Sequence, residues 1–116
     1  MIQGIKKDSD FRKVYKFGKS YSNKYLVLYF LKNNTDTTRL GISISKKVGK
    51  ANVRNKIRRR IKEVFRLNIV DKILRGYDIV FIARVAASEA TYEDIRKSMN
   101  FLIKKLGLKI TSRKNI

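Results

Sequence analysis

Between Lys46 and Arg66 the chain carries ten basic residues, Lys46, Lys47, Lys50, Arg54, Lys56, Arg58, Arg59, Arg60, Lys62 and Arg66, against a single acid, Glu63. A second pattern runs through the same stretch. On a helical wheel Val53, Ile57, Ile61, Val64 and Phe65 fall on one side. Asn55, Arg58, Arg59, Lys62 and Arg66 fall opposite, Arg54 and Lys56 flank them, and Arg60 sits near the apolar edge, where its stem can snorkel. A helix over roughly residues 53–70 must therefore put its apolar half in a core and its cationic half against something anionic. A merely solvated helix usually mixes signs. Here Arg54 and Arg58, and Arg58 and Lys62, stand four apart and repel, each pair costing roughly a few tenths of a kcal/mol. A phosphate backbone would offset that repulsion, so the pattern points to nucleic acid.

The flanking segments supply the core. Phe11, Val14 and Tyr15 share one face of a predicted helix over residues 9–17, with Asp8 as its cap and Gly18 as its stop. Residues 19–24 read as a polar link. Residues 25–32 read as a strand with Tyr25, Val27, Tyr29 and Leu31 on one side and Leu26, Leu28 and Phe30 on the other, so both sides call for cover. After a polar turn at 33–38, residues 39–45 alternate with Leu40, Ile42 and Ile44 inward, and an antiparallel hairpin between the two strands is the expectation. A basic loop ending in Asn52 as cap leads into the cationic helix. A third strand over 77–84 holds Ile79-Val80-Phe81-Ile82-Ala83. Thr91 and Asp94 form a capping-box pattern before a last helix with Tyr92, Ile95, Met99, Leu102, Ile103 and Leu106 on its apolar face. Gly107 ends that helix, and a basic tail over about 108–116 is expected to fray.

The order helix, strand, strand, helix, strand, helix describes an α/β (α+β) sandwich, a small central sheet packed by helices, in a single domain over residues 1–116. If the strands flanking the basic helix are parallel, the general rule expects a right-handed crossover.

Charge and absences narrow the function. Lys and Arg number 29 against 9 Asp and Glu, a formal net charge of +20, which suits a polyanionic partner. No segment is long and apolar enough to span a bilayer, and no membrane partner is expected. The start, Met1-Ile2-Gln3-Gly4-Ile5-Lys6-Lys7, lacks the apolar run of a secretory signal. With no Cys, a cytoplasmic location is expected. There is no His either, which removes the commonest general base and the commonest zinc ligands. The nine acids are scattered, whereas a metal-dependent nuclease needs several converging on its ions. No catalytic residue and no metal ligand is assigned to the protein. Aromatics on a basic sheet can stack unpaired bases, with the pairs Phe11 and Tyr15, and Tyr25 and Tyr29, each placed on one face, although such residues are more often core.

Four segments carry a family resemblance. Arg54-Asn55-Lys56-Ile57-Arg58-Arg59-Arg60-Ile61-Lys62 is similar to the Arg-Asn-Arg helix of the bacterial ribonuclease P protein family, and Gly41-Ile42-Ser43-Ile44-Ser45-Lys46-Lys47-Val48-Gly49 precedes it as in that family. Asp10-Phe11-Arg12-Lys13-Val14-Tyr15 with Gly18, and Asp78-Ile79-Val80-Phe81-Ile82-Ala83-Arg84, match in the right order, so nearly the whole chain is covered. Lys56 departs from the usual Arg, keeping charge and losing a planar fork.

The resemblance implies an α/β sandwich with an unusual left-handed β-α-β crossover, against the default rule. It implies a protein subunit that binds ribonuclease P RNA and precursor tRNA, needs no protein partner, and assists RNA-catalysed endonucleolytic removal of the 5′ leader. The protein alone would hold no cofactor, and Mg²⁺ would be held chiefly by the RNA. Residue by residue, it places Arg54, Asn55, Lys56, Arg58, Arg59, Lys62 and Arg66 against the catalytic RNA, and Phe11, Tyr15, Tyr29, Lys46 and Lys47 at the leader. A ribosomal or other structural RNA-binding protein and a protein-only nuclease are the competing classes. The first would be recovered on ribosomal subunits, and the second would cut precursor tRNA without any other RNA.

Overall fold

The computed structural model describes residues 3–109. Its strands are β1 (Gln3–Gly4), β2 (Lys19–Ser22), β3 (Leu26–Lys32), β4 (Arg39–Ser43) and β5 (Tyr77–Ala83), and its helices are α1 (Asp8–Phe17), α2 (Ala51–Val64) and α3 (Tyr92–Lys105). The strands form one sheet in the order β1-β4-β5-β3-β2. This is the expected mixed α+β sandwich, with two differences in the sheet.

The first is that β3 and β4 form no hairpin. β5 lies between them, antiparallel to β3 and parallel to β4, with Phe81 opposite both Leu28 and Ile42. β5 holds the uninterrupted apolar run Ile79-Val80-Phe81-Ile82-Ala83, and Ile79, Val80 and Phe81 are all fully buried. Such a strand gains most from the centre, where neighbours cover both faces. β4, with Arg39 and Ser43 among its five residues, takes the place toward the edge. The second difference is that β1 and β2 cap the two edges. β1 pairs parallel with β4, and β2, from the segment read as a polar link, pairs antiparallel with β3.

Alternation along the strands divides the core in two. Leu26, Leu28, Leu40, Ile79, Phe81 and Ala83 face α2 and α3, where they meet Ile57, Ile61, Val64, Phe65, Ile95, Met99 and Leu102. On the other face Val80 packs with Val14 of α1 and Ile5, and Phe11, Tyr15, Tyr29, Leu31 and Ile82 are half-buried around them. That face is covered only in part. Tyr25 departs from expectation. It precedes β3, its N–H donates to Asn23 Oδ1 (3.2 Å), and its ring packs with the α2 and α3 core rather than beside Tyr29.

Helix ends follow local chemistry. α1 starts at Asp8 itself, with Lys7 as a cap that offers no side-chain bond. α2 starts after Lys50 rather than after Asn52, again without a side-chain cap. It also stops being an α-helix at Val64 and widens into a π turn over Phe65–Ile69. A regular helix would carry residue 69 about 120° around from residue 57. The wider turn brings both Phe65 and Ile69 into the core and leaves Leu67 outside. α3 has the predicted capping box: Asp94 N–H donates to Thr91 Oγ1 (3.0 Å) and Thr91 N–H to Asp94 Oδ2 (2.9 Å). At its other end Gly107 takes φ 71°. The N–H groups of Gly107 and Leu108 bond the carbonyls of Lys104 and Ile103, a paired closure that needs a left-handed residue. The start of the tail is not frayed. Leu108 is buried, and Lys109 bridges Ile73; the remainder of the expected tail, 110–116, lies outside the described residues.

Candidate nucleic-acid interface

The cationic face of α2 is built as the wheel predicts. Ile57, Ile61 and Val64 are buried, while Asn55, Lys56, Arg59 and Lys62 are exposed. The side chains differ in what already holds them. Arg54 Nε donates to the Gly49 carbonyl (3.1 Å), fastening the loop that enters the helix. Arg60 Nη1 donates to the Ala90 carbonyl (2.8 Å), which ties α2 to the turn before α3 and explains its place at the apolar edge. Arg66 pairs with Glu63 at 3.1 Å on the surface, an interaction of small net value in water. Arg58 makes only a long contact to Asn55 Oδ1 (3.4 Å). Arg58, Lys62 and Arg66, spaced by fours, line a groove of 520 Å³ floored by Ile5, Phe11, Leu40 and Ile42. The helix thus presents Arg58 and Lys62, with Arg66 paired to Glu63 next to them, beside an apolar trough at the β1 and β4 edge, a combination that composition did not reveal.

Phe11, Tyr15 and Tyr29 come together as expected. The Phe11 and Tyr15 rings are 6.3 Å apart, and Tyr15 meets Tyr29 edge-on at 5.1 Å, 70° between planes. Phe11 is seated against Gly41, where any Cβ would stand 2.7 Å from its Cε1. Burial pushes the Tyr15 phenol up in pKa, with the Ser43 side chain opposing the shift, so the phenol is neutral and can donate at physiological pH.

Beyond Tyr29 the sheet lies open. Ser20, Ser22, Val27 and Tyr29, with Tyr21 at the edge, line a shallow 560 Å³ trough that α1 does not cover. Ser20 and Ser22 stand opposite Tyr29 and Val27 in the β2–β3 register. The alternation in Lys19-Ser20-Tyr21-Ser22 was the available signal for this half of the floor. Lys46 and Lys47 are exposed on a 3₁₀ turn that follows β4. Within the sheet, Ser43, Ile82, Val27 and Ser22 form one transverse row at that end of the trough, and Gly41, Val80, Tyr29 and Ser20 form the next.

A charged clamp holds α1 in place. Arg39 Nε and Nη2 donate to the two carboxylate oxygens of Asp78 (2.8 and 2.6 Å), while Nη1 reaches Asp10 Oδ2 of α1 (3.4 Å). Asn33 Nδ2 donates to Asp78 Oδ1 (2.9 Å). Burial works to raise the Asp78 pKa, but the hydrogen bonds from Arg39 and Asn33 prevail and hold it below its ordinary value. Sequence reasoning had given neither Arg39 nor Asp78 a role, because their partners lie 39 positions apart.

A protein-family model described as Ribonuclease P matches residues 3–107. Among curated relatives, the ribonuclease P protein component of Clostridioides difficile (strain 630) is 63% identical over 108 residues, covering 93% of this chain and 95% of its own length. That of Clostridium botulinum (strain 657) is 54% identical, covering 90% and 94%. Among solved structures, the RNase P protein of Staphylococcus aureus superposes with a TM-score of 0.86 at 40% identity over 95% of this chain and 100% of that one. The RNase P protein from Thermotoga maritima gives 0.79 at 38% identity over 88% and 96%.

Proposed function

The chain belongs to the ribonuclease P protein family and so has its place in tRNA 5′ processing, and on that premise we propose how it works. It binds the catalytic RNA of ribonuclease P through α2 and the 5′ leader of precursor tRNA through the groove beside α1, while the RNA performs the phosphodiester hydrolysis. The observation that carries this reading is the separation of two surfaces on one small body. A cationic stripe of Arg58, Lys62 and Arg66 flanks one sheet edge, and an open trough floored by Tyr29, Val27, Ser20 and Ser22 lies on the α1 face.

The two surfaces have different chemistry. Along α2, Arg54, Asn55, Lys56, Arg58, Arg59, Lys62 and Arg66 offer several donors along four turns, suited to the phosphates of a folded RNA, and their gain comes largely from counterion release. Tyr29 lies on the trough floor with Tyr15 edge-on beside it, Phe11 stands next along α1 and reaches the groove beside α2, and Lys46 and Lys47 follow β4. A single strand fits there because rings stack on any base and lysines track phosphates. Holding the leader positions the scissile bond against the RNA's active centre; it supplies binding and orientation rather than a reacting group.

Divalent ions are held chiefly by the RNA in this scheme. Among the described residues no three His, Cys, Asp or Glu side chains converge to hold one, and no step is assigned to a metal on the protein. No helix of the described residues is long and apolar enough to cross a membrane, and the cytoplasm is the proposed setting. Reconstitution tests the whole reading. The chain combined with a bacterial ribonuclease P RNA is expected to remove the leader at low Mg²⁺, and the chain alone to cleave nothing. Site-specific cleavage at the mature 5′ end by RNA-free protein would instead make it a nuclease in its own right.

A further inference from the structure

The outer face of α3 carries a second, separate array of cations and exposed rings. Lys97, Phe101, Lys104 and Lys105 share one side of the helix. Phe101 is 49% exposed and Tyr21 of β2 is 41% exposed, with ring centroids 6.4 Å apart. Tyr21 alternates with Ser20 and Ser22, so it lies on the opposite sheet face from the α1 trough. Lys97 and Phe101 form a ridge between two depressions. On one side lies a hollow lined by Lys24 and Tyr25. On the other lies a 370 Å³ groove whose cations include Lys72, Lys104 and Lys109, with Asn68 and Asn100 between them.

Ordinary surface chemistry accounts for only part of this. Lys104 and Lys105 complement the C-terminal end of the helix dipole. Lys72, Lys97 and Lys109 have no such reason, and neither do two adjacent exposed rings. The nearby acids are engaged: Glu93 is paired with Arg96, and Asp94 closes the capping box. No carboxylate lines the groove.

We propose that this face is a second binding surface for single-stranded RNA, running along α3 from Lys24 to Lys109. Bases stack on Phe101 and Tyr21, and the phosphates follow Lys97, Lys104 and Lys72. Single-stranded rather than duplex RNA fits because the rings stand out of the surface, where only unpaired bases reach them. The surface shares no residue with α2 and only the edge residue Tyr21 with the leader trough, so Phe101 and the lysines test it whether or not those assignments hold.

The test uses the full chain carrying Tyr29→Leu, Arg58→Ala and Lys62→Ala, which weakens the other two surfaces. The probe is a fluorescent oligouridylate of roughly a dozen nucleotides, within the length one small domain covers. Adding Phe101→Leu should weaken binding about five-fold or more, the effect of losing one stacked base, while Phe101→Tyr keeps it. Adding Lys97→Gln with Lys104→Gln should reduce the slope of log K against log salt by about 1.4. Thermal midpoints of the exposed-site variants should stay unchanged, which separates lost binding from lost folding. Unchanged affinity in both sets overturns the proposal. So does sensitivity to the lysines without sensitivity to Phe101→Leu, since that describes a surface that tracks phosphate without reading bases. An oligoglutamate of equal charge that displaces the RNA equally well overturns it too.

Discussion

Phe11 rests on Gly41 so closely that an added Cβ would stand 2.7 Å from its Cε1 and 2.9 Å from its Cζ. The glycine leaves room for the Phe11 ring of α1 over β4, and Phe11 stands beside Tyr15, which meets Tyr29. Gly41→Ala must push the ring, and α1 with it, away from the sheet. Ile5 leaves little room behind, at 3.3 Å from the same Cβ position. Overpacking of this kind costs about 1–3 kcal/mol. The expected outcome is a lower urea midpoint, together with weaker binding of leader-bearing precursor tRNA. Assembly with the catalytic RNA should fall less than leader binding, because the cations of α2 stay in place while only the Phe11 and Gly41 part of the groove beside them shifts. A midpoint equal to that of the unaltered chain would show that the ring steps aside freely.

Arg60 and the pair Arg58 and Lys62 stand within one turn of each other on α2 and should behave oppositely. Arg60 is bonded to the Ala90 carbonyl at 2.8 Å. Arg60→Ala is expected to lower stability by about 1–2 kcal/mol and to leave the salt dependence of RNA binding alone. Arg58→Ala with Lys62→Ala should leave the unfolding midpoint nearly unchanged but weaken assembly with the catalytic RNA. Its salt slope should fall by roughly 1.8, two phosphate contacts' worth. Binding titrations across salt, beside urea melts, separate the two. A salt slope that falls for Arg60→Ala and holds for the pair would reverse the roles given to these side chains.

Asp78 makes folding sensitive to acid. Its folded pKa is depressed through Arg39 and Asn33 despite burial, so the unfolded chain takes up this proton first. The stability it contributes is complete above the unfolded value of about 3.9 and is lost as pH falls through the lower folded value. Urea midpoints should therefore hold between neutral pH and about pH 5 and decline below pH 4. Asp78→Asn should lose about 2–3 kcal/mol at neutral pH, because Arg39 loses the charge and one of the two acceptor oxygens at this position and its remaining carboxylate partner is Asp10 at 3.4 Å. It should also show a shallower acid decline. An acid limb as steep as that of the unaltered chain would place the titrating group elsewhere.

These clamps show what a linear reading can and cannot see. Period and local chemistry exposed α2, α3 and the Thr91–Asp94 box, since each depends on residues within a few positions of one another. They did not expose β1 or β2, which are two and four residues long and gain their order from the strand edges they cover. Nor did they show β5 entering between β3 and β4, because adjacency in sequence favours a hairpin while burial of both faces favours the centre. The candidate site divides the same way. Phe11 and Tyr15 were paired by helical spacing, and Tyr29 joined them through the resemblance. Tyr25 was misplaced beside Tyr29, because the turn held by Asn23 delays the strand until Leu26. The serine floor of the trough was hidden inside a segment that looked like a link.

Tyr29 provides the sharpest separation of packing from recognition. Its ring meets Tyr15 edge-on at 5.1 Å and forms the boundary between the small core under α1 and the open trough. Phe11→Ala or Tyr15→Ala would confuse the two roles, since both rings also cover Val14 and Ile5. Tyr29→Leu keeps apolar bulk against Val80 and removes the flat face offered to a base. The aromatic pair is worth about 0.5–1.5 kcal/mol beyond its burial, so the variant should fold with a modestly lower midpoint. It should also bind the catalytic RNA normally. The discriminating measurement compares two ligands of the reconstituted complex: precursor tRNA with a leader several nucleotides long, and mature tRNA. Loss of one stacked base weakens precursor binding by about 1–3 kcal/mol, five-fold or more, and leaves mature tRNA untouched. The loss should also shrink when the leader is cut back short of the trough, because the missing contact is then absent from both proteins. Equal weakening for precursor and mature tRNA would instead assign Tyr29 to packing that supports the whole interface, and no weakening for either would remove it from the leader's path.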